Sequence, residues 1–343
     1  MSFDAIRTDR LLLRPAAIAD VDALVARRSD PEVAEFQSWS TPYPLERAHA
    51  MVSKIIQQPN PVPDEWWMLT IVNTEDSTIL GDIVFKLEWG GRSAEVGYTL
   101  AREAWGHGYA TEALVALVEC LFERFDTTRI GAMLHPDNIG SAMVLERTGF
   151  EFEGRTRLSY WVGDENTDDL IYGITREDWE SWRARRRTPA DHVDLVEVTS
   201  ANVAAVNRLA THHSQRRFVS PATKSLADAL IPEVVDGHQL EPWFHAVRAD
   251  GEIVGFVMLS LANDVHLEPY LWRFIIDRRH QRRGIGGRAL EIVIDQCLTW
   301  GAESLLVSWV PGRGSPAPMY LERGFVITGN VEDGEIEARL IID

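Results

Sequence analysis

Two cysteines in 343 residues, Cys120 and Cys297, are too few for a disulfide framework or a thiolate metal cluster. Both fall inside helical patterns, where they read as small core residues. No uninterrupted apolar stretch approaches the roughly 18 residues that a membrane span needs, so no membrane partner is expected. The opening residues lack the apolar segment of a secretory signal, and a cytoplasmic, reducing setting is the expectation. Positive charge is short as well: 34 Lys and Arg against 52 Asp and Glu leave a formal charge of −18. Phosphate backbones need a basic surface, so the charge argues against nucleic acid as a partner. An acidic surface serves solubility, and it also suits cationic acceptors such as amines. The one basic cluster, Arg183 and Arg185 to Arg187, ends a helical pattern and leads into Thr188-Pro189-Ala190-Asp191, a linker composition. His212-His213 has no further plausible ligands, and no metal site is read there.

What the chain does contain is a repeat. Trp105-Gly-His-Gly-Tyr-Ala-Thr-Glu-Ala-Leu is followed by Glu146-Arg-Thr-Gly-Phe150, and Gln281-Arg-Arg-Gly-Ile-Gly-Gly-Arg-Ala-Leu by Glu322-Arg-Gly-Phe325. Gly108 and Gly284 lie 176 positions apart, and Phe150 and Phe325 175. Two matched motifs at nearly one offset, about half the chain, indicate a duplicated domain: residues 1–187 and 188–343. Each half reads as strand, helices, a meander, a long helix, strand, helix and closing strands. The fold class is α+β, with a mixed, mainly antiparallel central sheet flanked by helices. Expected helices include 20–29, capped by Asp20, then 45–57, 108–125 and 139–147 in the first half. The second half should hold helices at 201–211, 222–235, 284–299 and 316–323. Closing strands are expected at 150–155 and 169–174 in the first half, and at 326–328 and 335–341 in the second.

The glycine loops fall between a strand and a long helix. Free peptide N–H groups and the helix dipole make such a turn an anion site, and glycine lets a diphosphate approach the backbone. Gly284-Ile-Gly-Gly-Arg-Ala also fits a dinucleotide-binding fingerprint. That motif follows the first strand of its domain, whereas each loop here follows a meander, and no acidic residue ends the next strand. The dinucleotide reading is set aside.

Gln281-Arg-Arg-Gly-Ile-Gly286 resembles the diphosphate loop [QR]-x-x-G-x-[GA] of the GNAT acetyltransferases. With Tyr270-Leu-Trp-Arg-Phe-Ile-Ile-Asp277, the second half is similar to the polyamine-type branch. The first half resembles the RimJ/RimL type, the ribosomal-protein-alanine and antibiotic acetyltransferases. It does so through Glu95-Val-Gly-Tyr-Thr-Leu, Trp105-Gly-His-Gly-Tyr-Ala-Thr-Glu-Ala, His135-Pro-Asp-Asn138, Ser141 and Glu146-Arg-Thr-Gly-Phe150. Trp105 departs from the [QR] position. The resemblance implies two tandem GNAT folds, each with a splayed strand pair admitting the pantetheine arm of acetyl-CoA. Loop donors to the diphosphate would be Gly106, His107, Gly108, Ala110 and Thr111 in the first half. In the second they would be Arg282, Arg283, Gly284, Gly286 and Gly287, with Gln281 opening the motif.

Direct acetyl transfer to an amine needs a base for the ammonium, a donor for the oxyanion and an acid for the leaving thiolate. Tyr320, four residues before Gly324, stands where the family places its acid; a core tyrosine is the alternative. The aligned Leu145 cannot donate, so Ser141 would substitute, with Asn138 on the cofactor arm or merely capping the helix. Candidate bases are Glu95 and Glu268, each near the start of the strand feeding a loop, with Asp277 weaker. Solvated positions are the alternative for both glutamates. Trp39, Trp66, Trp67, Trp243 and Trp272 would line clefts or pack the core. Glu233, Asp236 and Glu241 would receive a polyamine or form a solvated face. The expected function is acetyl transfer to the primary amine of a small cationic molecule, polyamine-like or aminoglycoside-like. Alternatives are a protein N-terminal acetyltransferase in the first half, or one half as a silent acyl-CoA-binding module.

Overall fold

Both faces of each main sheet are covered at its centre, where residues 67–72 and 254–260 are buried without interruption. In the computed structural model, which describes residues 3–58, 60–235 and 237–342, the chain divides into two units, Met1–Ala184 and Arg185–Asp343. Asp236 lies outside the described residues.

The first unit carries β1 (Ile6–Arg7), β2 (Leu11–Pro15), β3 (Trp66–Asn73), β4 (Ile79–Glu88), β5 (Ser93–Leu100), β6 (Arg129–Leu134), β7 (Glu151–Val162) and β8 (Glu165–Thr175). They form one sheet in the order β1-β2-β3-β4-β5-β6-β8-β7. Its helices are α1 (Val21–Ser29), α2 (Pro31–Ala34), α3 (Leu45–Gln57), α4 (Tyr109–Arg124), α5 (Ile139–Arg147) and α6 (Arg176–Ala184). Trp67, Leu69, Ile71, Ile83 and Phe85 alternate onto one buried face, where Phe85 meets Phe125 just beyond α4. The opposite face of β4 carries Asp82, buried beneath α1 between Arg27 and Arg28. Burial would raise the Asp82 carboxyl, but the two guanidinium groups hold it below the usual range. Its stabilising contribution is therefore full above the ordinary carboxylate pKa and is lost as pH falls toward the lowered value. Asp82→Ala leaves two buried cations uncompensated and should cost about 3–5 kcal/mol in chemical denaturation.

The second unit carries β9 (Val193–Glu197), a small hairpin of β10 (Val234–Val235) and β11 (His238–Gln239), β12 (Pro242–Ala249), β13 (Glu252–Ser260), β14 (Tyr270–Ile276), β15 (Ser304–Trp309), β16 (Val326–Glu332) and β17 (Glu335–Ile341). The main sheet runs β16-β17-β15-β14-β13-β12-β9. Helices are α7 (Val203–Val206), α8 (Ala222–Leu230), α9 (Ile285–Thr299) and α10 (Ala317–Leu321). One face packs Leu305, Val307 and Trp309 against Leu290, Val293 and Cys297 of α9 and Tyr320 of α10. The other packs Phe256, Met258 and Ile275 against Val206 and Ala222 of α7 and α8.

Several expected elements differ. The helix expected over 201–211 is helical only over Val203–Val206, and the one over 222–235 ends at Leu230. Pro232 disfavours helical geometry at Ile231, which sits at φ −130° and ψ 73°, and Leu230 and Ile231 have no surface to bury against. The closing hairpin of the first unit is longer than expected, Glu151–Val162 against Glu165–Thr175, and much of the outer part of β7 is exposed, so no apolar alternation marks it in the sequence. Asp20 does not cap α1 through its side chain. Its carboxylate accepts from Arg14, the Thr70 hydroxyl and the Ala17 N–H instead.

Candidate active site

In each main sheet one adjacent pair of strands is parallel, and that pair separates after a short ladder. β5 runs beside β6 only from Ser93↔Arg129 to Glu95↔Gly131. β14 runs beside β15 only at Tyr270↔Leu306 and Leu271↔Val307. Beyond these rungs β5 and β14 stay paired with β4 and β13 on their other side, while β6 and β15 pair with β8 and β17. The result is a wedge-shaped gap with unpaired strand edges along both sides. A register shift between Met258 and Leu259 leaves Trp272 as an extra residue in β14 at the start of the gap. No such shift interrupts β4 and β5.

Each gap-lining strand then enters a tight turn into the long helix. Gly106 and Gly108 have φ of 83° and 80°, and Arg282 and Gly284 have 63° and 72°. Arg282 thus adopts at its position the left-handed geometry that Gly106 adopts in the first turn, at a strain of about 1–2 kcal/mol. Gly108 and Gly284 are N-caps with no side-chain cap, and the first helical bonds run from the Glu112 and Arg288 N–H groups. The N–H groups of Tyr109, Ala110 and Thr111, and of Ile285, Gly286 and Gly287, precede them and have no partner within the helix. A Cβ built at Gly106 or Gly284 would meet nothing within 4 Å, so both turns are open. This is the donor set and the free space that a diphosphate needs.

The side chains around the two turns differ. In the first unit the His107 ring stacks on Tyr109, Arg10 lies over the Tyr109 ring at 4.7 Å, and Arg10 Nη1 donates to the His107 carbonyl. Arg10 adds a half-exposed cation beside the loop, tethered by Glu112. Nothing in the sequence marked it, since it arrives from a turn about a hundred residues away. In the second unit the Gln281 amide donates to the Ile276 carbonyl and to Gln215. The Arg283 side chain is buried on Asp250 and the Thr188 carbonyl, and its own carbonyl accepts from the Ala190 N–H, while Arg282 is exposed. At Gly287 a Cβ would stand 1.8 Å from Arg323 Nη2, the tip of a flexible side chain that would have to swing away.

Glu95 sits on the last rung of the first gap, on the sheet face opposite α4, with Lys86 at 2.9 Å. Lys86 in turn lies near the exposed Trp66 ring. Ser141 and Asn138 meet at the start of α5, where the Asn138 side-chain oxygen accepts from the Ser141 N–H at 3.0 Å. Asn138 is thus a helix cap whose amide nitrogen still points two donors elsewhere. Tyr98, whose role the sequence did not disclose, spans the gap: its hydroxyl donates to the Ser141 carbonyl at 3.0 Å. Burial pushes the Tyr98 phenol well up, so it stays a donor. Leu145 is fully in the core. Asn138→Ala should cost about 1 kcal/mol in thermal or urea unfolding through loss of the cap.

In the second unit Tyr320 is buried, stacked on Trp309 at 5.8 Å and edge-on to Phe325. Burial, with Tyr270 nearby, pushes its phenol well up. Glu268 lies on the closed side of the gap, held by Arg339 through two bonds of 2.8 Å and by the Ser304 hydroxyl. Burial favours its neutral form, but Ser304 and Arg339 outweigh this and keep it ionised. Asp277 is buried and accepts from the Ala210 and Arg279 N–H groups, which ties loops together. Glu233 and Glu241 are exposed beside the β10–β11 hairpin. Among the tryptophans, Trp67 is core, Trp39 donates to the Arg28 carbonyl, Trp243 stacks on His245, and Trp272 carries Arg273 at 5.2 Å.

No helix among the described residues is long and apolar enough to cross a membrane. Residues 10–151 match the acetyltransferase (GNAT) domain model, and residues 208–325 match the acetyltransferase (GNAT) family model. The chain is 29% identical over 175 residues to the N-acetyltransferase YoaA of Bacillus subtilis (strain 168), covering 51% of this chain and 98% of that one. It is 30% identical over 156 residues to the N-acetyltransferase p20 of Bacillus licheniformis, covering 45% of this chain and 86% of that one. A solved GNAT-family acetyltransferase from Bacillus anthracis aligns at 25% identity and a TM-score of 0.46, covering 51% of this chain and 99% of that one. The chain therefore belongs to the GNAT family, carries two of its domains in tandem, and is an acetyl-CoA-dependent N-acetyltransferase.

Proposed function

We propose that the second unit acetylates a primary amine of a small cationic, polyamine-like molecule by direct attack, with Tyr320 as the acid. The observation that carries this reading is a gap between parallel strands leading straight into an open, left-handed turn at a helix N-terminus. In that reading the N–H groups of Ile285, Gly286 and Gly287, with the Arg282 turn, hold the diphosphate of acetyl-CoA. Acetyl-CoA supplies the thioester. The unpaired backbone of β14 beyond Leu271 offers N–H groups to the thioester carbonyl. Tyr320, neutral and buried against Trp309, is suited to deliver its proton to the sulfur. Residues 185–343 are mildly acidic, with 17 Lys and Arg against 21 Asp and Glu, a balance that suits a cationic acceptor.

The same reading assigns the first unit a diphosphate site formed by Gly106, His107, Gly108, Ala110 and Thr111. There Ser141 faces the leaving group, Asn138 the cofactor arm, and Glu95 the incoming amine. Glu95→Gln should lower transfer by the first unit by about 10- to 100-fold near neutral pH, with the loss shrinking as pH rises and the free amine accumulates. The test of the whole proposal is CoA release by the full chain with acetyl-CoA and a panel holding spermidine, an aminoglycoside and a peptide with a free N-terminus. Turnover with spermidine that Tyr320→Phe abolishes supports it. Turnover only with the peptide, unaffected by Tyr320→Phe, moves the activity to the first unit.

A further inference from the structure

Tyr270 and Glu95 occupy equivalent places. Each stands on a rung of the short parallel ladder, opposite Leu306 in one unit and Gly131 in the other, on the sheet face away from the long helix. In the first unit that place holds a carboxylate at the mouth of the gap. In the second it holds a phenol, and the carboxylate is one link further away. The Tyr270 hydroxyl lies 2.5 Å from the Ser308 Oγ, and the Ser308 hydroxyl donates to Glu335 Oε2. Because Ser308 has a single proton and gives it to Glu335, its oxygen accepts from Tyr270. The hydrogen bonds therefore point one way, from the gap to a carboxylate at the start of β17.

We propose that Tyr270, Ser308 and Glu335 form a proton relay that removes the ammonium proton of the acceptor in the second unit, in place of Glu268. This rests on the reading that the second unit is catalytic. Glu268 is two residues before Tyr270 on the closed side, and both its oxygens are taken by Arg339. Tyr320 belongs to the other face, packed with Leu305, Val307 and Trp309 beneath α9. The sheet thus separates two proton transfers across one gap: Tyr270 on the face toward α7 and α8, Tyr320 on the face toward α9.

The ammonium gives a proton to the Tyr270 oxygen as the Tyr270 proton passes to Ser308 and the Ser308 proton to the Glu335 carboxylate. The neutral amine forms the C–N bond, the C–S bond breaks, and Tyr320 protonates the thiolate. The Tyr320 oxygen then takes the second proton from the new amide nitrogen. Glu335, partly exposed, releases its proton to water, so one proton leaves per turnover.

Two measurements on the full chain test this. In the first, tyrosines carry a 13C label at Cζ, and Tyr270→Phe identifies the Tyr270 resonance. Burial raises the Tyr270 phenol most, the Glu335 and Glu337 charges add to it, and Ser308 and Arg273 oppose it. Glu335→Gln should therefore move its ionisation midpoint down, and an unmoved midpoint overturns the relay whether or not any acceptor is known. In the second, acetyl transfer to spermidine is followed from pH 7 to 9.5, with Tyr320→Phe giving the background of the first unit. Glu335→Gln and Ser308→Ala should fall about 10- to 100-fold at pH 7 and recover to within about threefold at pH 9.5, with the KM for acetyl-CoA unchanged. A loss of the same size at every pH marks a structural role and overturns the relay. Absence of turnover in the parent chain defeats the functional reading instead, and the tyrosine titration still decides the relay.

Discussion

Tyr320→Phe is expected to lower acetyl transfer by the second unit by about 10²- to 10⁴-fold while acetyl-CoA binding by calorimetry changes little. The size follows from the proposed chemistry, because Tyr320 is the acid for the leaving thiolate in that reading, and the Trp309 and Phe325 rings packed against it carry no acid of their own. The variant is nearly isosteric and removes only a hydroxyl, so the stacking that places the ring is kept. Burial raises the phenol well above its ordinary value, so it remains protonated across any practical assay range. A basic limb below about pH 10 therefore belongs to another group. Burial of the neutral phenol also contributes stability that is complete below the unfolded value and declines as pH rises past about 10. If the variant turns over spermidine as the parent does, Tyr320 is a core residue and the acid lies elsewhere.

Gly284→Val and Gly108→Val should each remove one acetyl-CoA site, reducing calorimetric stoichiometry from two to one, and to none when combined. Valine, being β-branched, costs about 1–2 kcal/mol or more at a left-handed φ, so the unfolding midpoint of each variant is measured beside its binding. In the folded protein the added Cβ at Gly284 meets nothing within 4 Å, so the damage is confined to the space kept for the ligand. At Gly108 the nearest atom is Arg10 Nη2 at 3.6 Å, an ordinary contact. Loss of a site without loss of the unfolding transition is the expected signature, with affinity at the altered turn falling by about 100-fold or more. Stoichiometry that stays at two in both variants would sink the diphosphate assignment for these turns.

Sequence reading and structure part company at identifiable places. The two long helices and the strands Arg129–Leu134, Tyr270–Ile276 and Glu335–Ile341 fall where periodicity put them, since each has one face to bury. Helix Ala222–Leu230 stops short because Ile231 precedes a proline and its neighbours find no core. Tyr98 was in view as part of a motif, yet its span to Ser141 needs a strand and a helix 43 residues apart in sequence to face one another. Glu268 read as a base from its position before the strand, and only the register of β17 brings Arg339 against it.

From the chain alone came the duplication, the family of each half, the two glycine turns and the exchange of Tyr320 for Leu145, because these are properties of residues near one another along the backbone. Strand register and face decided the rest. Register ends the parallel ladders at Glu95 and Leu271, turns Arg339 onto Glu268 and sets Ser308 between Tyr270 and Glu335. A shift of one residue in a strand reverses every side chain, so no spacing in one dimension specifies which carboxylate faces the gap.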